Sequence, residues 1–212
     1  NLGMALKQRD DFEGAEDALR RAVALDTSLP EPPYTLAVVL WQTGRPEDAV
    51  PLLRTAVARK PDYADAHYVL GTVLKQLGRS DEALAEFRET IRHQPSSAEA
   101  HLSLGQLLQQ KKQMSEAAAA FAEAERLTRK KADAQAATFA VGVGLKRMKD
   151  KDTAGAIERF REAVRLAPDY PEAHYQLALA LQTSGARAEA QRQFAEAHRL
   201  APHLRPLDGD RP

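Results

Sequence analysis

The sequence predicts an all-α solenoid of stacked helix-turn-helix units, and three observations lead there. A pattern recurs every 34 residues along the 212-residue chain. Each period holds two runs with apolar residues at spacings of three and four, the mark of amphipathic helices. In several of the units glycine separates the two runs and proline ends the second. The segment 64–97 shows the unit at its most regular. His67, Leu70, Gly71 and Leu74 share one face of a first helix, Gly78 interrupts, Ala83, Phe87, Thr90 and Ile91 share a face of a second helix, and Pro95 stops it. One hairpin cannot bury two such stripes, so several must stack.

The remaining units follow in register. Residues 1–29 form a partial unit, in which Leu2, Gly3 and Leu6 finish one helix and Ala15, Leu19 and Ala22 mark the next; because the chain enters part-way along a helix, an upstream piece is expected. The unit 30–63 has Leu36, Ala37 and Leu40, a turn at Gly44-Arg45-Pro46, then Ala49, Leu53, Ala56 and the stop at Pro61. Pro32 and Pro33 belong in its first turn, where a missing N–H is tolerated. The unit 98–131 has Leu104, Gly105, Leu108, Ala117, Phe121 and Ala124, but Arg129 stands where other units carry proline. Its second helix is therefore expected to run on into Lys130-Lys131-Ala132. Five extra residues, 132–136, make an irregular junction, expected as a longer helix or a kink. The unit 137–170 resumes the pattern with Val143, Gly144, Arg147, Ala156, Phe160, Ala163 and Pro168. The unit 171–204 carries Leu177, Ala178, Leu181, Gly185, Ala190, Phe194, Ala197 and Pro202, and 205–212 is expected to be a loose tail. The whole of 1–204 is expected to be one array.

A second set of positions bears on stacking. Val50 and Val57, Leu84 and Ile91, and Ile157 and Val164 are apolar pairs seven apart on the second helices, on the side expected to meet the following unit. The last unit has Gln191 and His198 there, a polar face suited to the end of an array. The fourth unit has Ala118 and Glu125, which coincides with the irregular junction and implies changed packing there.

The unit resembles the tetratricopeptide repeat, with Leu70, Gly71, Leu74, Ala83, Phe87 and Pro95 at signature positions. His67 stands where the signature prefers Trp, and Leu74 where it prefers Tyr; both remain packing residues. The resemblance implies a right-handed superhelix with a concave groove lined by first helices. The groove residues would be Tyr34, Val38 and Trp41; Tyr68, Thr72 and Lys75; Leu102, Gln106 and Gln109; Val141, Leu145 and Met148; and Tyr175, Leu179 and Gln182. The alternative for each is packing against its neighbour. Aromatic residues among them offer rigid area with a polar handle, the chemistry of interface anchors. Family members that clamp a carboxylate use Lys and Asn on successive first helices, where this chain has Tyr34, Thr35, Val38 and Val69. Members with an Asn ladder are matched here by Thr35, Val69, Ser103, Gly142 and Gln176, so neither specialisation transfers.

Composition narrows the function classes. Thirty basic and thirty acidic residues cancel, so net charge asks for neither nucleic acid nor an anionic membrane. There is no cysteine, hence no disulfide or thiol chemistry, and the compartment stays open. No apolar run approaches a membrane span of ~18 residues. His67, His101 and His174 share a column, but equivalent positions on stacked helices lie about 10 Å apart, whereas zinc ligands converge to ~2 Å from one ion. Gly142-Val143-Gly144 lacks the strand and remaining residues of a phosphate loop and is expected to thin the helix for close packing. Arg126, Arg129, Lys130, Lys131, Lys146, Arg147, Lys149 and Lys151 make a local basic zone, and the stretch 98–151, with Lys111 and Lys112, holds ten basic against six acidic residues, a solvated face or a seat for an acidic partner. No catalytic motif appears. The sequence thus points to a non-catalytic scaffold without cofactor or metal, binding a protein or peptide segment. The alternatives are self-assembly through the incomplete first unit and an accessory module of a larger enzyme or assembly system.

Overall fold

In the computed structural model, which describes residues 12–204, ten α-helices and no strand occur among the described residues. They are α1 (Phe12–Leu25), α2 (Glu31–Gln42), α3 (Pro46–Arg59), α4 (Ala64–Gln76), α5 (Ser80–His93), α6 (Ala98–Gln110), α7 (Met114–Lys149), α8 (Thr153–Leu166), α9 (Pro171–Thr183) and α10 (Arg187–Leu200). The expected features at Leu2, Gly3 and Leu6, association through that incomplete unit, and the tail 205–212 fall outside the described residues.

Among the described residues, each first helix ends the same way. The backbone N–H of Arg45 donates to the Leu40 carbonyl at 2.8 Å, and Arg79 to Leu74, Gln113 to Leu108, Asp152 to Arg147 and Ala186 to Leu181, each at 2.9 Å. This six-to-one closure requires a residue of positive φ just before the donor. Gly44, Gly78 and Gly185 supply it at 81°, 74° and 87°, but Lys112 (61°) and Lys151 (63°) occupy the same place in the fourth and fifth units. A side chain there is held in the left-handed region, which costs about 1 kcal/mol. Lys112→Gly and Lys151→Gly are each expected to raise unfolding free energy by about 0.5–1 kcal/mol in urea titrations.

The chain divides between Leu127 and Thr128 into two compact units. In the first, Leu36, Leu40, Leu53, Leu70, Leu74, Phe87, Leu107 and Leu108 form a continuous buried core. In the second, Ala156, Phe160, Ala163, Leu177, Leu181 and Phe194 do so. The apolar forward positions Val50, Leu84 and Ile157 are buried and Val57, Ile91 and Val164 half-buried, whereas Ala118, Glu125, Gln191 and His198 are exposed.

The irregular junction is a longer helix. α7 runs unbroken for 36 residues, absorbing the second helix of the fourth unit, the five extra residues and the first helix expected from Ala137. The run-on expected at Lys130-Lys131-Ala132 therefore extends a further 17 residues, to Lys149. Three other links between consecutive units have four residues and carry Pro61, Pro95 or Pro168, and the link from α1 to α2 has five and carries Pro30. Here Thr128-Arg129-Lys130-Lys131 contains no proline, and the alanine-rich sequence on either side favours continuation.

Candidate functional site

In the first unit, α2, α4 and α6 present successive first-helix faces joined by side-chain bridges. Trp41 Nε1 donates to Gln76 Oε1 at 2.7 Å and Lys75 Nζ to Gln106 Oε1 at 2.5 Å. Each bridge crosses from one unit to the next and fixes a long side chain, lowering the entropy still to be lost when a partner binds. Tyr34 is half-buried with its ring 5.0 Å from that of Tyr63. Burial, then the nearby Tyr34, Glu31 and Asp65, push the Tyr63 hydroxyl up to about 12. Tyr68 is half-buried, 5.8 Å from Phe87. The Thr72 hydroxyl donates to the Tyr68 carbonyl at 2.8 Å. Leu102 is 46% exposed and Gln109 is exposed beside half-buried Gln106. Val38 is only 8% exposed, so it backs this face rather than offering contact area.

In the second unit, Tyr175 meets Phe194 edge-on at 5.6 Å, Leu179 is half-buried and Gln182 is exposed. On α7, Leu145 is 39% exposed, Met148 half-buried against the core, and Val141 only 5% exposed. Two residues of the first-unit face, Tyr63 and Gln76, were not anticipated. Tyr63 lies before its helix and Gln76 at its end, where apolar periodicity carries no signal.

The histidine column closes links between units. His67 Nε2 faces the Pro61 carbonyl at 3.0 Å, His101 Nε2 the Pro95 carbonyl at 3.3 Å, and His174 Nε2 the Pro168 carbonyl at 3.0 Å. Each ring thus ties a first helix to the proline that ended the preceding one. Among the described residues no group of three or more His, Cys, Asp or Glu is placed to hold a metal ion. Much of the basic zone is paired locally: Arg126 with Glu123 at 2.6 Å, Lys130 with Asp169 at 3.0 Å and Arg147 with Asp152 at 2.6 Å. Lys130 holds the Asp169 carboxyl below its usual range. Asp152 is likewise lowered, first by the Gly155 backbone N–H that it caps and then by Arg147.

Stacked antiparallel hairpins with bridged first-helix faces define a helical-repeat protein. Tetratricopeptide repeat models match residues 34–89 and 70–137 and residues 1–25, and a further TPR repeat model matches residues 144–185. The chain belongs to the tetratricopeptide repeat family. No curated protein sequence matches it. Among solved structures, it is similar to MamA (TM-score 0.53, 19% identity, 95% of each chain covered). It is also similar to the Pseudomonas aeruginosa pilF protein (0.55, 22%, 95% of this chain and 90% of that one). A third similar structure is YrrB, described as a TPR protein with an unusual peptide-binding site (0.50, 19%, 89% and 94%). At these identities the likeness establishes the fold. No helix among the described residues is long and apolar enough to cross a membrane.

Proposed function

We propose that this chain is a non-catalytic scaffold that captures a peptide segment of a partner protein on its first-helix faces. The bridged face of the first unit carries the reading: Trp41–Gln76 and Lys75–Gln106 hold neighbouring helices in register while Tyr68, Leu102 and Gln109 keep accessible surface. A segment laid across them meets an aromatic anchor, an aliphatic one and an amide, with Lys75 as the cation. Tyr175, Leu179 and Gln182 offer a second, shorter face of the same chemistry. A balanced net charge agrees with a protein rather than a nucleic-acid partner. The peptide-binding site named for the similar YrrB structure lends the reading further support.

Leu102 gives the cleanest test, because Tyr68 also packs on Phe87. A photo-crosslinking residue at Leu102 or Gln109, expressed in the native host, is expected to trap one protein that the same residue at exposed Ala85 does not. Leu102→Asp is expected to abolish that capture with little change in melting temperature. The sole tryptophan, Trp41, should change emission when a peptide of the trapped protein is titrated in. Equal trapping from Ala85, or capture indifferent to Leu102→Asp, would remove the face from the argument.

A further inference from the structure

On α4, α6 and α9 the first helix has a rear face that meets the preceding unit. In the regular units it is made of small or apolar residues and is buried: Ala66 and Val73 on α4, Ala100 and Leu107 on α6, Ala173 and Ala180 on α9. In the fifth unit the positions of Ala66 and Val73 fall at Phe139 and Lys146, with Gly142 between them where the other units have half-buried Val69, Ser103 and Gln176, and all three are exposed. Phe139 keeps 75% of its surface open, against 0% for Ala66, Ala100 and Ala173. No helix of the second unit precedes this face to cover it.

Gly142 is the independent sign that something approaches. A glycine inside a helix costs about 1 kcal/mol relative to alanine, and Gly144 two residues on has a reason, since a Cβ there would meet the Phe160 ring at 2.5 Å. At Gly142 a Cβ would meet nothing within 4 Å. The missing side chain serves no packing among the described residues. It does leave bare backbone one turn from Phe139 and one turn from Lys146, a notch into which another helix could settle.

Charge decides what kind of helix. Thr128, Lys131, Gln135, Phe139, Gly142, Lys146 and Lys149 follow one another at spacings of three and four, so they form one stripe. It contains three lysines, none in an ion pair among the described residues, and no carboxylate, Asp133 lying on the opposite side of α7 and Asp150 following its last residue. We propose that the stripe formed by Lys131, Gln135, Phe139, Gly142, Lys146 and Lys149 docks a helix of a partner protein, with small residues opposite Gly142, an apolar residue against Phe139 and flanking glutamates against the lysines. A second copy of the chain is a poorer occupant, because the open face of α10, at Gln191 and His198, brings no carboxylate. The surface is separate from the peptide-binding faces proposed above.

The test uses the full chain and fluorescently labelled synthetic helices: one with an alanine stripe, a central leucine and flanking glutamates, one with lysine in place of glutamate, and an oligouridylate of similar length. Anisotropy is expected to show saturable binding of the acidic helix alone. Phe139→Ser should weaken it at least about tenfold. Gly142→Leu should block it while raising the melting temperature, since leucine is the better helix former. Leu102→Asp should leave it untouched, which separates this surface from the peptide-binding face. Failure of the acidic helix to bind, equal binding of the lysine helix or the oligouridylate, indifference to both α7 substitutions, or self-association lost with Phe139→Ser would each overturn the proposal.

Discussion

Gly144→Ala is expected to destabilise the chain by about 1–3 kcal/mol, and adding Phe160→Leu is expected to recover much of that loss rather than deepen it. A methyl group at residue 144 would sit 2.5 Å from Phe160 Cε1 and 2.8 and 2.9 Å from two further ring atoms. The ring is fully buried and has no free direction in which to yield. The third and fourth units use the same device: the added Cβ would lie 2.9 Å from Phe87 at Gly71 and 2.7 Å from Phe121 at Gly105. The second unit solves the gap otherwise, with Ala37 and Leu53 at the two positions, both buried. Glycine with phenylalanine and alanine with leucine are thus two fillings of one volume in these units, whereas the sixth unit combines Ala178 with Phe194, both buried, and accommodates methyl and ring together. Phe160→Leu alone should cost about 1–1.5 kcal/mol through the lost ring atoms. In the double variant the methyl occupies the space the ring vacated, so urea unfolding should give a loss well below the sum of the two. Strict additivity would sink the shared-volume account.

That exchange shows why the fold could be read from the sequence. A 34-residue recurrence records the same packing solution made several times, so Leu70, Gly71, Leu74, Ala83 and Phe87 mark both their own burial and that of their counterparts. Proline and glycine placed the ends of the regular helices for the same reason. The junction at 132–136 was legible only as a departure. Arg129 in place of proline and Glu125 in place of an apolar residue said that the usual link would not form. Nothing in the pattern said that α7 would run on to Lys149, because helix continuation over exposed residues is decided by propensity summed along the segment rather than by any one position. The site was less legible than the fold. Spacing located the first-helix columns, but Val38 and Val141 share that spacing with Tyr34 and Tyr175 and are buried. Bridges such as Trp41–Gln76 join residues 35 apart through long side chains whose reach a period cannot express.

A pH-dependent contribution to stability is expected at His67, and Glu86→Gln should remove it. Both ring nitrogens face acceptors: Nδ1 lies 2.6 Å from Glu86 Oε2 and Nε2 3.0 Å from the Pro61 carbonyl. Only the doubly protonated ring donates to both at once. Burial by itself would lower its pKa, but the hydrogen bonds the ring donates to Glu86 and Pro61 and the charges of Glu86 and Glu89 outweigh it, and the value is raised above the ordinary one. His93, the other titratable ring nearby, stacks on His67 at 6.0 Å and approaches Glu89 at 3.5 Å. A histidine whose folded pKa is raised binds its proton more tightly in the native state. Its stabilisation is therefore complete below the unfolded value of about 6.5 and is lost as pH rises through the folded one. Wild-type protein should accordingly lose on the order of 1 kcal/mol of unfolding free energy at this site on passing from mildly acidic to alkaline solution. In the sixth unit His174 Nδ1 faces Gln193 Oε1 at 2.7 Å, an uncharged amide where the third unit has a carboxylate. An amide turned to present its N–H lets a neutral imidazole donate through Nε2 to the proline carbonyl and accept through Nδ1. Glu86→Gln gives His67 the same surroundings, and the difference between wild-type and variant stability should shrink steadily with rising pH. A difference that stays constant across that range would mean that the Glu86 contact does not depend on a charged ring, and would leave the His67–Pro61 link as a neutral hydrogen bond.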